Sequence, residues 1–111
     1  MVQYAPAIRL DRVFGALTDP TRRAMLAQLA EQGTLSVSAL ARPLPMSLPA
    51  VIKHLDVLEG AGLVARHKSG RTVSCSLVAA PLEDAMTWLQ RYARFWEESL
   101  DRLAAALERE P

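Results

Sequence analysis

The chain has 111 residues, of which half are hydrophobic and 23% are charged, and its formal net charge is +1. This length predicts one domain and excludes two domains of comparable size, while the composition is that of an ordinary soluble globular protein. The N-terminal sequence lacks the pattern of a signal peptide and no apolar run approaches about 18 residues, so we expect a cytoplasmic protein that does not enter the membrane. Cys75 is the single cysteine, which excludes an internal disulfide framework.

The charge is unevenly distributed. Residues 42–71 carry five basic and two acidic side chains, whereas residues 81–111 carry four basic and seven acidic side chains. A basic middle followed by an acidic end suggests that only the middle faces a polyanion. Solvated surface charge without a partner is the alternative interpretation of the same pattern.

The first half of the chain predicts three helices. Apolar residues at helical spacing predict an amphipathic helix over residues 8–18. Asp19 as N-cap, Pro20 in the first turn and Gly33 as terminator predict the second helix. Ser36 can cap a short third helix, which the prolines at 43 and 45 end. Arg22 and Arg23 follow the Asp19 cap, where a structural or solvated role is at least as well supported as a contact with a nucleic-acid backbone.

A fourth helix begins after Ser47, a good N-cap, and ends at Gly60 or Gly62. Pro49 lies in its first turn, where the missing N–H costs nothing. The predicted buried stripe consists of Leu48, Val51, Leu55 and Leu58. Ala50, Lys53, His54 and Val57 project largely the other way. Two short helices within residues 36–60, the second with small residues at its start, are typical of a helix-turn-helix that enters a major groove.

After Gly62 the apolar period changes from helical to two, and residues 63–78 predict a β-hairpin. Basic residues surround its bend, so the hairpin could track a phosphate backbone beside the fourth helix. An ordinary solvated turn is the alternative. Cys75 alternates with Val73 and Leu77, which favours a buried small hydrophobe over a redox switch.

The last helix, residues 81–108, has a wider apolar stripe than a lone helix should carry. Part of this stripe is expected to pair with a second copy of the chain. The alternative is that the helix wraps around the protomer's own core. The predicted dimer contacts are Val13, Leu17, Leu82, Leu89, Tyr92, Trp96, Leu100 and Leu103.

Four stretches together resemble the arsenic-repressor (ArsR/SmtB) family of bacterial winged-helix regulators: "LDRVFGALTDPTRRAMLAQL", "MSLPAVIKHLDVLEGAGLV", "RHKSGRTVSCSL" and "RFWEESLDRL". The match covers about residues 8–107 in order and without large insertions. The resemblance implies a mostly α winged helix-turn-helix that dimerises through its first and last helices. It also implies a repressor, with the fourth helix of each protomer in the major groove of double-stranded promoter DNA and the wings on flanking backbone.

Departures from the family pattern bear on the signal to which such a repressor responds. Ser36 and Ser38 occupy the positions of a Cys-x-Cys pair in metal-sensing members, and a hydroxyl cannot replace a thiolate as a soft-metal ligand. No histidine follows His67, whereas other members bind zinc between their terminal helices. We therefore expect no metal and no cofactor, and release by a non-metal signal such as an unknown small molecule or protein. Ile52 replaces a small polar residue and can offer only apolar contact, for instance to a thymine methyl group.

The expected function is a repressor that binds a palindromic operator as a homodimer. The predicted DNA-contacting residues are Ser47, Pro49, Ala50, Ile52, Lys53, His54, Arg66, Lys68, Ser69 and Arg71. An enzyme is excluded because no catalytic triad, phosphate-binding glycine loop or paired buried carboxylates can be assembled. The alternative function is a protein–protein adaptor on a winged-helix fold that has lost specific DNA binding.

Overall fold

The computed structural model describes residues 4–109, with side chains from Arg9 onward. The remaining ends of the predicted domain, residues 1–3 and 110–111, lie outside the described residues. In chain order the elements are α1 (Tyr4–Ala16), α2 (Pro20–Gln32), β1 (Leu35–Ser36), α3 (Val37–Ala41), α4 (Leu48–Gly60), β2 (Val64–Ser69), β3 (Thr72–Leu77) and α5 (Ala80–Glu108). The protein is a mostly helical winged helix-turn-helix, as the sequence predicts.

Local capping sets the starts of α2 and α3 and the end of α2. The Asp19 carboxylate accepts a hydrogen bond from the Arg22 backbone N–H, and Ser36 Oγ accepts one from the backbone N–H of Ala39. Gly33 ends α2 with a φ of 79°, a conformation that favours glycine. These three predicted boundaries are confirmed. The first helix differs from the predicted range of 8–18, because it begins at Tyr4 and ends at Ala16.

The sheet has three antiparallel strands in the order β1-β3-β2, rather than the two of the predicted hairpin. In β1, Leu35 and Ser36 pair with Cys75 and Ser74 of β3. A two-residue strand is too short to show an alternating pattern, which is why the sequence gives no sign of it. The wing itself is β2 and β3, joined by the two-residue loop of Gly70 and Arg71.

One hydrophobic core is formed by the four helices α1, α2, α3 and α4, by the sheet and by the start of α5. Its fully buried large side chains are Met25, Leu29, Leu40, Leu55, Leu58, Leu63, Val13, Val51 and Cys75. The burial of Cys75 agrees with the predicted role of a small hydrophobe, and this burial raises the pKa of its thiol. The prediction that Leu48 belongs to the buried stripe of α4 is wrong, because Leu48 is 49% exposed. The elements packed against α4 cover the stripe from Val51 onward and leave the first turn open.

Helix α5 extends far beyond this core. The radius of gyration is 19.1 Å, against about 13 Å for a compact domain of this length. Within α5 only Ala85 is fully buried, and Leu82 is partly buried against the core. The exposed large apolar side chains of α5 are Met86, Trp88, Leu89, Tyr92, Phe95, Trp96, Leu100, Leu103 and Leu107. The apolar face of α5 therefore does not wrap around the protomer's own core, which was the alternative to pairing with a second copy.

Three of the predicted dimer contacts, Leu82 among them, pack on the protomer's own core instead. Val13 was assigned to the dimer interface, but it is 1% exposed inside the protomer's own core and cannot reach a partner. Leu17 also packs against this core while remaining partly exposed. The reason lies in the packing of α1 against α4 and α5 of the same chain, which uses the face that carries Val13.

None of the helices within residues 4–109 is long and apolar enough to cross a membrane.

The stripe of α4 should contribute strongly to stability. Replacing the fully buried Leu55 with alanine leaves a cavity and is expected to lower the free energy of unfolding by about 2–5 kcal/mol. Val57→Ala on the same helix is the matched control, with an expected change within about 0.5 kcal/mol because Val57 is exposed. Urea unfolding of both variants at one protomer concentration measures the difference, and equal costs would contradict this assignment of the core.

Candidate nucleic-acid interface

The first turn of α4 is a small, capped helix tip. Ser47 Oγ accepts a hydrogen bond of 3.3 Å from the Ala50 backbone N–H, and Pro49 lies in the same turn. Ser47 and Pro49 are exposed and Ala50 is partly exposed. Because the three side chains are short, the end of the helix is slim enough for a groove about 12 Å wide. The structure thus brings these three predicted contact residues together at one helix end.

Cationic side chains that form no ion pair with any described residue lie on α4 and on the wing. Lys53 is exposed on α4, and Lys68 and Arg71 are exposed beside the wing loop together with Ser69. None of these three cations forms an ion pair within 4.0 Å among the residues that the structure describes. The loop is tight because Gly70, at its first position, has a φ of 62°, as in type II′ hairpin turns. Because Lys68 and Arg71 are exposed and not ion-paired with any described residue, their charges at this bend are available to a polyanion.

Arg66 differs from the other predicted wing contacts because it is already paired. Its Nη2 donates to Asp56 Oδ1 at 2.7 Å and to Glu59 Oε1 at 2.9 Å, and its Nε donates to Glu59 Oε2 at 3.2 Å. The hydrogen bond from Arg66 lowers the pKa of Glu59, and the two carboxylates raise the pKa of Arg66. We therefore correct the predicted phosphate contact of Arg66: its guanidinium ties strand β2 to helix α4. We call this cluster of Arg66, Asp56 and Glu59 the wing latch.

His54 also lies in a different setting from the one predicted. Its Nδ1 is 3.3 Å from Arg22 Nη1 and 3.9 Å from Asp19 Oδ2, and its side chain is only 22% exposed. It therefore faces the start of α2 rather than open solvent. The contact of His54 with DNA was predicted on an exposed face, and only a partly buried side chain is available for it.

The arginines of the "DPTRR" segment have the structural role that the sequence left open. Arg22 Nε donates to the Ala16 carbonyl at 2.6 Å, and Arg23 Nη1 donates to the Leu17 carbonyl at 2.7 Å. Both contacts satisfy carbonyl groups near the end of α1, where a helix has no partners of its own for them. Together with the His54 contact they join α1, α2 and α4, and we call this group the helix joint.

An apolar groove separates α4 from the wing. Leu48 and Ile52 of α4 are 49% and 39% exposed, and they line a cavity of about 380 Å³ with the start of α3 and the wing residues 71–73. Ile52 is thus exposed, as a DNA contact requires. Sequence reasoning missed Leu48 because its spacing matches the buried stripe and the pattern cannot show where the covering elements end.

The metal-binding side chains of the described residues do not cluster. No group of three or more His, Cys, Asp or Glu residues between 4 and 109 could hold a metal ion. Ser36, at one of the positions where metal-sensing relatives carry cysteine, uses its hydroxyl to cap α3.

Comparisons with known proteins agree with this geometry. A family model described as a helix-turn-helix domain matches residues 17–67. The HTH-type transcriptional regulator Rv2034 of Mycobacterium tuberculosis is 41% identical over 90% of this chain and 90% of its own length. The transcriptional repressor SdpR of Bacillus subtilis is 30% identical over 75% of this chain and 91% of its own length. The crystal structure of an ArsR family transcriptional regulator, RHA00566, superposes on this chain with a TM-score of 0.76. The two sequences are 40% identical, and the match covers 82% of this chain and 93% of that one.

The wing latch should make stability depend on pH in one direction. Because the pKa of Glu59 is lowered in the folded protein, its contribution is fully present above its ordinary value of 4.5 and is lost as the pH falls through the folded value. We expect Glu59→Gln to lower the urea midpoint at pH 7, and this difference from the wild type to shrink as the pH falls below about 4.5. Glu31→Gln, which removes an exposed carboxylate of α2, is the control and should not produce this trend. A pH-independent difference for Glu59→Gln would contradict the ionic role of the latch.

Proposed function

Since this chain belongs to the ArsR family of winged helix-turn-helix transcriptional regulators, we propose that it is a repressor that binds a palindromic promoter operator as a homodimer. The family membership makes it a DNA-binding regulator of transcription. The sign of regulation, the form of the operator and the dimer are our proposal. One named relative, the Bacillus subtilis protein, is a transcriptional repressor, which supports the sign.

The observation that carries the proposal is the set of unpaired cations around the slim tip of α4. Lys53 on the helix and Lys68 and Arg71 on the wing lack ion-pair partners within the described residues, whereas Arg66 between them is neutralised. Cations without an ion-pair partner are suited to phosphate contact, and a helix end with small side chains is suited to entry into a major groove. We assign base contact to the α4 tip, with Ser47, Pro49, Ala50, Ile52 and Lys53, and phosphate contact to the wing, with Lys68, Ser69 and Arg71.

Two predicted contacts receive revised roles. Arg66 positions the wing through the latch, and His54 positions α4 through the helix joint. A positioning role accounts for their intramolecular partners, which a direct phosphate contact would have to break. Loss of either side chain would then act on DNA binding through the orientation of α4 or the wing.

The proposed homodimer rests on the exposed face of α5. Leu89, Tyr92, Trp96, Leu100 and Leu103 recur every three or four residues and are all at least half exposed. A continuous apolar stripe of this length is characteristic of an interface, and a two-fold dimer buries the same stripe from both chains. Two α4 helices related by this symmetry would read two half-sites about one DNA turn apart, which is why the operator is expected to be palindromic.

We propose that release from DNA follows a non-metal signal. Ser36 is committed to capping α3, and Ser38 offers a hydroxyl where soft-metal sensing needs a thiolate. The effector would then be a small molecule or another protein.

Binding to the protein's own promoter tests the repressor. Arg71→Ala should weaken binding to the promoter fragment and to random duplex by a similar factor, and should lower the salt slope by about one, as expected when one phosphate contact is lost. Lys53→Ala should cost about 1–3 kcal/mol on the promoter fragment and reduce its preference over random duplex. Fluorescence anisotropy at two salt concentrations measures the affinity of the wild type and of both variants for the promoter fragment and for random duplex.

The control is Arg109→Ala, at the far end of α5, which should leave both affinities unchanged. Wild-type binding that is undetectable, or that shows neither salt dependence nor preference for the promoter, would instead support the adaptor function.

Sedimentation tests the dimer. We expect the wild type to sediment as a dimer at micromolar concentration, and Leu89→Asp or Trp96→Glu to yield monomer or insoluble protein because the new charge would be buried without a partner. Glu98→Gln, about 200° around the helix from Trp96, is the control that should remain dimeric. A monomeric wild type would contradict the proposed assembly.

A further inference from the structure

Two large apolar side chains lie exposed on the first two turns of the reading helix. Leu48 is 49% exposed and Ile52 is 39% exposed. They are four residues apart, so their side chains lie on the same face of α4, separated by about 40° around its axis. Neither belongs to the stripe on α5, and no residue of α5 lines the groove in which they lie.

The same face of α4 continues with a polar half that is already occupied. Asp56 and Glu59 lie one and two turns beyond Ile52, and both are bound by Arg66 of the wing latch. The latch holds the lower half of this face against the wing. The upper half, with Leu48 and Ile52, remains open toward the groove.

The residues that line this groove suit a ligand that carries both negative charge and an apolar group. Val37 of α3 and Val73 of β3 line it with the two α4 side chains, and Arg71 stands at its wing side. Arg71 and Arg66 are the charged residues that line it, and the nearby carboxylates of Asp56 and Glu59 are bound by Arg66. The groove is continuous with the helix tip and the free cations to which DNA binding is assigned.

Few polar side chains of α4 are available to form hydrogen bonds with base edges. Between residues 47 and 57 the chain has no arginine, asparagine or glutamine, so Lys53 is the one side chain there of the types that form bidentate hydrogen bonds with guanine or adenine. Asp56 is paired with Arg66, and His54 faces Arg22 and Asp19. In the major groove only thymine presents a methyl group, and an apolar side chain recognises it by contact.

We propose that Leu48 and Ile52 form a thymine-reading pair, which selects operator half-sites by packing against the C5 methyl groups of thymine. This inference rests on the proposed DNA-binding function and names the base that the site selects. It makes Leu48 a specificity residue. Burial of two otherwise exposed apolar side chains supplies the free energy that hydrogen bonds supply at a polar reading helix.

Replacement of thymine by deoxyuridine tests the pair, because uracil lacks only the C5 methyl group. The wild type is first used to select sites from a random duplex pool, and each thymine of the selected half-site is then replaced singly. We expect one or two positions per half-site at which the replacement weakens binding about three- to fivefold, the value of burying one methyl group. At such a position, Leu48→Ala or Ile52→Ala should abolish the penalty and bind thymine and uracil equally.

The matched control is Val57→Ala, an exposed apolar residue of α4 outside the groove, which should retain the wild-type penalty at every position. A merely structural effect of Leu48→Ala or Ile52→Ala would weaken binding to both DNAs and leave the penalty in place, which would overturn the thymine-reading pair. Site selection by the wild type without any uracil penalty would also overturn it while leaving the regulator intact. Absence of any selected site would overturn both proposals.

Discussion

The burial of one stripe of α4 governs the rest of the functional surface. Val51, Leu55 and Leu58 are fully buried, and their packing determines the rotation of the helix about its axis. Every other face of α4 follows from this rotation. Leu48 and Ile52 turn toward the groove, Lys53 toward solvent and His54 toward α2. Because the helix is held by its apolar side, its tip remains free for a partner.

Two polar clusters then limit how the helix and the wing can move. The wing latch joins β2 to α4 over 10 and 7 residues of sequence, and the helix joint brings Arg22 to His54 across 32 residues. In the wing latch, Arg66 neutralises the carboxylates of Asp56 and Glu59. In the proposed complex with DNA, these two carboxylates would otherwise lie close to phosphate groups and repel them. The latch therefore prepares the surface electrostatically as well as mechanically.

Helix α5 exposes most of its apolar face, whereas a helix in a globular domain usually buries that face against the core. Only its first turns pack on the domain, and the remaining apolar face is left open over more than 20 residues. Such a surface is unfavourable in water unless a second surface covers it. The same chain thus separates the proposed DNA-binding end, which carries free cations and small side chains, from an apolar end suited to assembly.

The winged helix-turn-helix, the caps at Asp19, Ser36 and Ser47, and the terminating turn at Gly33 could all be predicted from the sequence. These features depend on periodicity and on hydrogen bonds between residues three or four apart, which a local pattern records. Which side chains of the candidate site are free could not be predicted, because it depends on contacts between elements that are distant in sequence. Arg66 and His54 gain partners from other elements, Val13 is enclosed by its own protomer, Leu48 lies beyond the elements that cover its stripe, and β1 exists only as a partner of β3. Each of these outcomes depends on which elements meet in space, and helical spacing is the same for a covered and an uncovered turn.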